Sequence, residues 1–159
     1  PRSTLFPYTT LFRSQDVGHQ LFTDSVAAEC ALGIKAPNRD EIDRTLEKVD
    51  LLAYKERHPL SLSGGQMQRL AVVVSDICGK ELLVFDEPTS GLDLKSMEEV
   101  GTLTRSLATQ GKVLLIITHD IEFMMRICTR ILFIRDGEIV EDLSGGQKEK
   151  IVRLLRGEE

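Results

Sequence analysis

Two adjacent carboxylates, Asp86 and Glu87, follow directly after a short run of apolar residues at positions 82–85. Such a run is typical of a buried parallel strand, and the carboxyl ends of parallel strands form the edge where α/β proteins bind ligands. Magnesium prefers oxygen ligands, so Asp86 could hold a Mg²⁺ ion that bridges phosphate oxygens. Glu87 could act as the general base that polarises an attacking water. The pair therefore predicts phosphoryl-transfer chemistry at the end of this strand.

A second candidate stretch, Leu-Ser-Gly-Gly-Gln at residues 62–66, lies upstream of the carboxylates. Ser63 and Gln66 form a capping-box pattern, which predicts the start of a helix. The first turn of a helix presents free N–H groups to an anion, and Gly64 and Gly65 would let a ligand come close to the backbone. A capped helix without a ligand needs the serine and the glutamine but not two glycines. The pattern therefore favours phosphate binding over a plain helix start.

A third candidate is His119, which follows a strongly apolar run at residues 112–118. That run predicts a second buried strand, so the histidine is expected at the same sheet edge as the two carboxylates. A lone histidine at a strand end is usually a hydrogen-bonded loop residue. The expected neighbours favour a functional role for this one.

In this order, the three motifs resemble those of ABC-type ATPases: the signature motif, the Walker B strand with its catalytic glutamate and D-loop, and the switch histidine. The resemblance runs from about Gln15 to the end of the chain. It implies that Gln15 is the Q-loop glutamine that reaches Mg²⁺ and the attacking water; a solvated loop glutamine is the alternative. Asp86 would hold Mg²⁺ through water, and Glu87 would be the general base. His119 would bind the γ-phosphate, and Asp93 would communicate across a dimer.

ABC ATPase domains pair head to tail around two ATP molecules, so the resemblance also implies partners and cofactors. The cofactors would be ATP and Mg²⁺, with Ser63, Gly64, Gly65 and Gln66 contacting ATP held by a second ABC ATPase subunit. The chain would hydrolyse ATP as a peripheral subunit at the cytoplasmic face of the cell membrane and drive a transmembrane transporter subunit. A non-transport ABC ATPase of translation or DNA repair is the alternative, as is a catalytically incomplete fragment.

Within the family, residues 20–26 and 86–93 look most like energy-coupling-factor ATPases, which power uptake of vitamins or transition-metal ions. The implied fold class is α/β: the C-terminal part of a P-loop NTPase domain, with a parallel sheet core, a helical subdomain and a C-terminal β-hairpin. The helical subdomain and signature helix would span about residues 22–78, and the remaining catalytic core residues 79–159.

Local patterns predict where the individual elements begin and end. Ser25 and Asn38 predict two helix starts in the helical subdomain, and Asp93 or Ser96 predicts the start of the helix after the carboxylates. Asp136-Gly137 predicts the turn of a hairpin.

Residues 1–14 differ in character from the rest of the chain. They contain no acidic residue and show neither the strand nor the helix period. Residues 4–14 resemble the direct translation of a common sequencing adapter, which predicts a non-native segment; a genuine N-terminal strand pair is the alternative. No G-x-x-x-x-G-K-[ST] phosphate loop occurs in the sequence. We therefore expect a domain truncated at its N-terminus, with residues 15–159 forming a partial ABC ATPase domain. It would complete a partner's site through residues 63–66 without hydrolysing ATP at its own.

A second Leu-Ser-Gly-Gly-Gln occurs at residues 143–147. No apolar strand ending in acids follows it, and a short helix over residues 148–155 is expected instead. Ser144 and Gln147 could cap that helix without any ligand. The repeat is therefore predicted to have no phosphate-binding role.

The composition limits the class of protein further. The net charge of −5 argues against non-specific nucleic-acid binding through the overall field, so no nucleic-acid partner is expected. No apolar run approaches the ~20 residues of a membrane-spanning helix, and no signal peptide is evident. Cys30, Cys78 and Cys128 lack metal-ligand spacing and are expected to be reduced thiols.

Overall fold

A computed structural model describes residues 10–13, 21–144 and 147–156. Three residues of the predicted motifs, Gln15, Gly145 and Gly146, lie outside the described residues. The chain divides into two units, Pro1–Ile117 and Thr118–Glu159.

The first unit contains a three-stranded parallel sheet and four helices among its described residues. In chain order the elements are β1 (Thr10–Arg13), α1 (Val26–Ala31), α2 (Arg39–Lys48), α3 (Gly64–Ile77), β2 (Leu82–Asp86), α4 (Leu94–Thr109) and β3 (Val113–Ile117). Strand β2 lies between β1 and β3. Asp86 is opposite Ile117, so β2 and β3 end at the same edge of the sheet. The predicted parallel sheet is confirmed.

Helices α1 and α2 begin where a side chain caps them. Ser25 Oγ accepts a hydrogen bond from the Ala28 N–H at 3.2 Å, and Asn38 Oδ1 accepts from the N–H groups of Asp40 and Glu41. These side chains satisfy backbone donors that have no partner inside the helix. Both predicted helix starts are confirmed.

A cluster of buried apolar side chains joins α1, α2 and α3. Val26, Leu46 and Leu70 belong to it, one from each helix, and all three are fully buried. Helix α3 is buried on two sides, because Val73 packs in this cluster while Val72 packs with residues of β2 and α4. Helix α3 is therefore held between the helical cluster and the sheet.

Strand β2 is buried by the helices on either side of it in the sequence. Leu83 and Phe85 form one cluster with Val72 of α3 and with Val100 and Leu107 of α4. Burial of these large side chains contributes roughly 1.5–3 kcal/mol each. This packing fixes the strand that ends in Asp86.

Strand β3 is less buried than its sequence predicts. Leu114 and Ile116 pack against the cluster around β2, whereas Val113, Leu115 and Ile117 are 63%, 50% and 49% exposed. The prediction of a buried second strand is therefore wrong for one of its faces. An all-apolar run cannot distinguish burial on one face from burial on both, because its composition is the same in either case.

Strand β1 falls inside residues 1–14, the segment predicted to be non-native. Its backbone pairs in parallel with β2, with Thr10 opposite Leu82 and Arg13 opposite Phe85. This part of the segment therefore extends the sheet. The adapter origin of the segment and the domain boundaries within residues 15–159 stay predictions.

The second unit contains α5 (Ile121–Ile127), β4 (Arg130–Arg135), β5 (Glu138–Ser144) and α6 (Lys148–Arg156). Strands β4 and β5 form an antiparallel pair. Asp136 and Gly137 join them with φ angles of 54° and 84°, as a tight hairpin turn requires. Met124, Ile131, Leu143 and Ile151 form the core of this unit. The predicted C-terminal hairpin is confirmed.

Candidate functional site

Asp86 is the last residue of β2, and Glu87 follows it at the edge of the sheet. Both side chains are half-buried. The Glu87 N–H donates a hydrogen bond of 2.8 Å to the Ile117 carbonyl, so the end of β3 holds the residue that follows β2. The structure therefore places the two carboxylates where the sequence predicts them, at the carboxyl ends of two adjacent parallel strands.

Glu87 has a left-handed backbone conformation, with φ of 49°. The other described non-glycine residues with positive φ are Asp50 and Asp136. Aspartate tolerates this region because its short side chain can bond locally, whereas glutamate has no such advantage. The bond to Ile117 and the turn bond from the Ser90 N–H to the Glu87 carbonyl, at 3.1 Å, hold the conformation in place. Backbone strain of this kind occurs often at functional sites.

The carboxylates fit a magnesium ion that arrives with phosphates better than one held by protein groups alone. Across the described part of the chain, no group of three or more His, Cys, Asp or Glu side chains is arranged to hold a metal. Mg²⁺ commonly binds through one or two carboxylates together with substrate phosphates and water. Asp86 can supply one such ligand, so the donor set fits Mg²⁺ bound with a nucleotide.

The residues of the first Leu-Ser-Gly-Gly-Gln motif form the start of α3. Ser63 is the N-cap: its hydroxyl accepts from the Gln66 N–H at 3.4 Å, and the Gln66 Oε1 accepts from the Ser63 N–H at 2.9 Å. The predicted capping box is therefore confirmed. Ser63 and Gly64 are exposed and Gly65 is buried. A phosphate-binding role for these four residues stays a prediction.

Asp93 caps α4 and lies close to the same motif. Its Oδ1 accepts a hydrogen bond of 3.0 Å from the Ser96 N–H, and Ser96 in turn contacts Gly65 of α3. The hydroxyl and the N–H of Ser96 hold the pKa of Asp93 below its ordinary value. Of the two helix starts that the sequence allowed, Asp93 is the cap and Ser96 lies one turn inside.

Replacing Asp93 with alanine removes the cap of α4, so we expect Tm to fall by about 2–4 °C. Asp93→Asn keeps a capping side chain, so it should avoid most of this loss of Tm at neutral pH. Because the pKa of Asp93 is lowered in the folded chain, the stability from its charge is complete above about pH 4 and is lost as the pH falls through the lowered pKa. Thermal melts of both variants between pH 6 and pH 3 measure this. An acid response in Asp93→Asn identical to that of the wild type would contradict it.

Two predicted site residues, His119 and Gln15, are not among the described residues of the first unit. His119 belongs to the second unit, where Asp120 accepts from the Phe123 N–H at 3.0 Å and caps α5. Gln15 lies outside the described residues. Convergence of these two side chains with Asp86 and Glu87 stays a prediction.

The second Leu-Ser-Gly-Gly-Gln has a different setting from the first. Ser144 is the last residue of β5, and α6 begins only after Gln147. The Gln147 Oε1 accepts from the Ser144 N–H at 3.0 Å, and the Gln147 N–H donates to the Ser144 carbonyl instead of its hydroxyl. Of the two hydrogen bonds of a capping box, the one from the Ser144 N–H to the Gln147 side chain is present. In the other, the Ser144 carbonyl accepts in place of the Ser144 hydroxyl.

Glu29 is a buried carboxylate that sequence reasoning missed. It is 1% exposed, and its Oε2 accepts hydrogen bonds from the N–H groups of Phe22 and Thr23 and from the Thr23 hydroxyl, at 2.8–3.1 Å. The only sequence signal is an acidic residue on the inner face of a short helix, beside Cys30. Glu29 anchors the chain that follows the predicted Q-loop.

Comparison with known proteins identifies the family. The family model for ABC transporters matches residues 2–90, which is more than half of the chain and begins inside the segment predicted to be non-native. A Treponema denticola protein assigned as an ABC transporter ATP-binding protein is 59% identical over 141 residues, covering 89% of this chain and 29% of that protein. The glutamate/aspartate import ATP-binding protein of Escherichia coli is 38% identical over 108 residues, covering 68% of this chain and 45% of that protein.

A solved structure shares the fold. It is CbiO1 from Clostridium perfringens, which its description calls part of the ABC transporter complex CbiONQ. The TM-score is 0.76 at 26% identity, over 94% of this chain and 62% of that one. The chain thus spans less than two thirds of the length of each of these proteins. None of its described helices has the length and apolar character needed to cross a bilayer. Because the family model matches more than half of its residues, the chain belongs to the ABC transporter family of ATP-binding proteins.

Proposed function

We propose that the complete gene product is the ATP-binding and ATP-hydrolysing subunit of an ABC-type membrane transporter, in which hydrolysis is coupled to transport of a substrate. The observation that carries this proposal is the geometry of Glu87. A half-buried glutamate is held with φ of 49° immediately after the strand that ends in Asp86. Such backbone strain is costly, and it is found where a side chain must be held in a defined position. Here that position is beside a phosphate.

In this proposal the predicted site residues have distinct tasks. Glu87 takes a proton from the attacking water as general base, and the bond from its N–H to Ile117 keeps its backbone from rotating away. Asp86 and Gln15 hold the magnesium ion, which when bound would neutralise charge on the phosphates. His119 binds the γ-phosphate. Positioning and charge neutralisation then supply most of the rate acceleration.

A second ABC ATPase subunit completes the proposed site. The exposed start of α3, with Ser63 and Gly64 at its surface, contacts the ATP held by the partner in a head-to-tail dimer. The capping box supports this role, because it leaves the glycine N–H groups of the first turn available to an anion. Asp93, beside this loop, communicates across the interface.

The transported substrate is left open by the relatives. The sequence looks most like energy-coupling-factor ATPases, which power uptake of vitamins or transition-metal ions, and CbiO1 is described as part of an ABC transporter complex. The Escherichia coli relative, by contrast, is named for glutamate/aspartate import. In either case the proposed partner is a transmembrane transporter subunit, and the proposed location is peripheral, at the cytoplasmic face of the membrane.

The test of the proposal is the magnesium dependence of ATP hydrolysis. In the complete gene product, we expect Asp86→Asn to raise the Mg²⁺ concentration for half-maximal activity by roughly 10- to 100-fold, because the amide lacks the charge that holds the metal through water. Phosphate release at saturating ATP is measured over a Mg²⁺ titration. Glu47→Asn, at an exposed position of α2, is the control and should match the wild type. Wild-type protein without Mg²⁺-dependent hydrolysis would refute the proposal.

A further inference from the structure

The first turns of α3 and α4 meet where Gly65 faces Ser96. A Cβ atom built on Gly65 would lie 2.5 Å from Ser96 Oγ and 2.9 Å from Ser96 Cβ. Such distances are shorter than real Cβ contacts, so a larger residue at position 65 would push the two helices apart. At Gly64 the nearest atom to a built Cβ is Leu92 Cδ2, at 3.9 Å, which is ordinary contact. The two neighbouring glycines therefore differ: Gly65 has a packing reason within the chain, and Gly64 does not.

Ser96 also contacts the residue that caps α4. Its N–H donates to Asp93 Oδ1 at 3.0 Å. One serine thus packs against Gly65 on one side and orients the Asp93 carboxylate on the other. The first Leu-Ser-Gly-Gly-Gln motif and Asp93 are linked through this single residue.

The contact continues along both helices. One turn beyond Gly65, the Arg69 guanidinium donates to the Glu99 carboxylate of α4, and the Arg69 side chain is only 13% exposed. One turn further, Val72 and Val100 share a buried cluster. A close-packed interface of this kind does not deform continuously, so the first turns of α3 and α4 are expected to move together.

We propose that Ser96 is a positioning residue that holds residues 63–66 and Asp93 as one preformed surface for the nucleotide of a second subunit. The inference rests on the proposed function, because the surface needs a partner's ATP to act on. In this proposal, position 65 must be glycine because of the contact with Ser96. Position 64 is glycine so that a ligand can approach the backbone. The two glycines of the motif should then respond differently to a change at position 96.

The test is rescue by a second substitution in the complete gene product. We expect Gly65→Ala to lower Tm by about 5 °C, because the added methyl group overpacks the contact. It should also lower kcat/KM for ATP by roughly 10- to 100-fold, because the surface is displaced. The double variant Gly65→Ala, Ser96→Gly removes the Oγ and Cβ atoms that the methyl group would meet. Because the alanine methyl group then fills the space of the serine side chain, this variant should recover most of kcat/KM and most of the lost Tm, apart from the cost of a glycine within a helix. Ser96→Gly alone leaves the contact unfilled and should lower kcat/KM.

Gly64→Ala is the matched control. Its Tm should equal or exceed that of the wild type, and Ser96→Gly should not restore any kcat/KM that Gly64→Ala loses. The inference is overturned if Gly65→Ala behaves like the wild type, or if Ser96→Gly leaves its Tm and kcat/KM unrescued. Absence of ATP hydrolysis in the wild type would count against the proposed function alone, since the Tm comparison tests the helix contact independently.

Discussion

Replacing Glu87 with glutamine is expected to lower kcat for ATP hydrolysis by about 10²- to 10⁴-fold in the complete gene product, the range typical of a lost general base. Glutamine has the same shape as glutamate, but its amide cannot accept the proton of the attacking water. The backbone bond from position 87 to the Ile117 carbonyl survives the change, so Tm should stay within about 2 °C of the wild type. Phosphate release and binding of a fluorescent ATP analogue separate the chemical step from nucleotide binding, which should be retained.

Two further variants show whether the effect belongs to position 87. Glu47→Gln, on the exposed side of α2, should hydrolyse ATP at the wild-type rate. Glu87→Gly removes the carboxylate and also relieves the positive φ, so it should be as inactive as Glu87→Gln without a loss of Tm. Turnover by Glu87→Gln equal to that of the wild type would rule out Glu87 as the base.

The largest loss of stability is expected from Glu29→Ala, at about 3 kcal/mol of the free energy of unfolding. The substitution removes the shared acceptor of three donors, the N–H groups of Phe22 and Thr23 and the Thr23 hydroxyl. These groups would be left in a part-buried site without the carboxylate that binds them. Urea unfolding followed by circular dichroism measures the difference.

Glu29→Gln serves as the conservative comparison, since its side-chain oxygen can still accept from these donors. It should lose about 1 kcal/mol, the difference between a charged and a neutral acceptor. Glu47→Ala, at an exposed site, should stay within about 0.5 kcal/mol of the wild type. A loss below 1 kcal/mol for Glu29→Ala would mean that this carboxylate does not anchor residues 22 and 23.

Features that depend on neighbouring residues could be predicted from the sequence. The caps Ser25, Ser63 and Asp93 and the turn Asp136-Gly137 were predicted correctly, because capping and turn formation involve side chains within three residues of one another. The position of Asp86 at the end of an apolar strand could be predicted for the same reason. The motifs themselves were specific enough to predict the family.

Contacts between distant parts of the chain could be seen only in the tertiary structure. No local pattern shows that Gly65 lies against Ser96, that Glu29 holds the N–H groups of residues 22 and 23, or that one face of β3 is exposed. The positive φ of Glu87 is likewise held by a carbonyl on a neighbouring strand.

The sequence by itself determined where most elements begin, and it predicted which residues would carry the proposed chemistry, because both depend on residue type and short-range spacing. Only the tertiary structure showed that the Glu87 N–H bonds to the Ile117 carbonyl and that Gly65, unlike Gly64, lies against Ser96. Both contacts form where separate elements pack against each other. The residues that pack there are far apart in the sequence, so no local pattern predicts the contact.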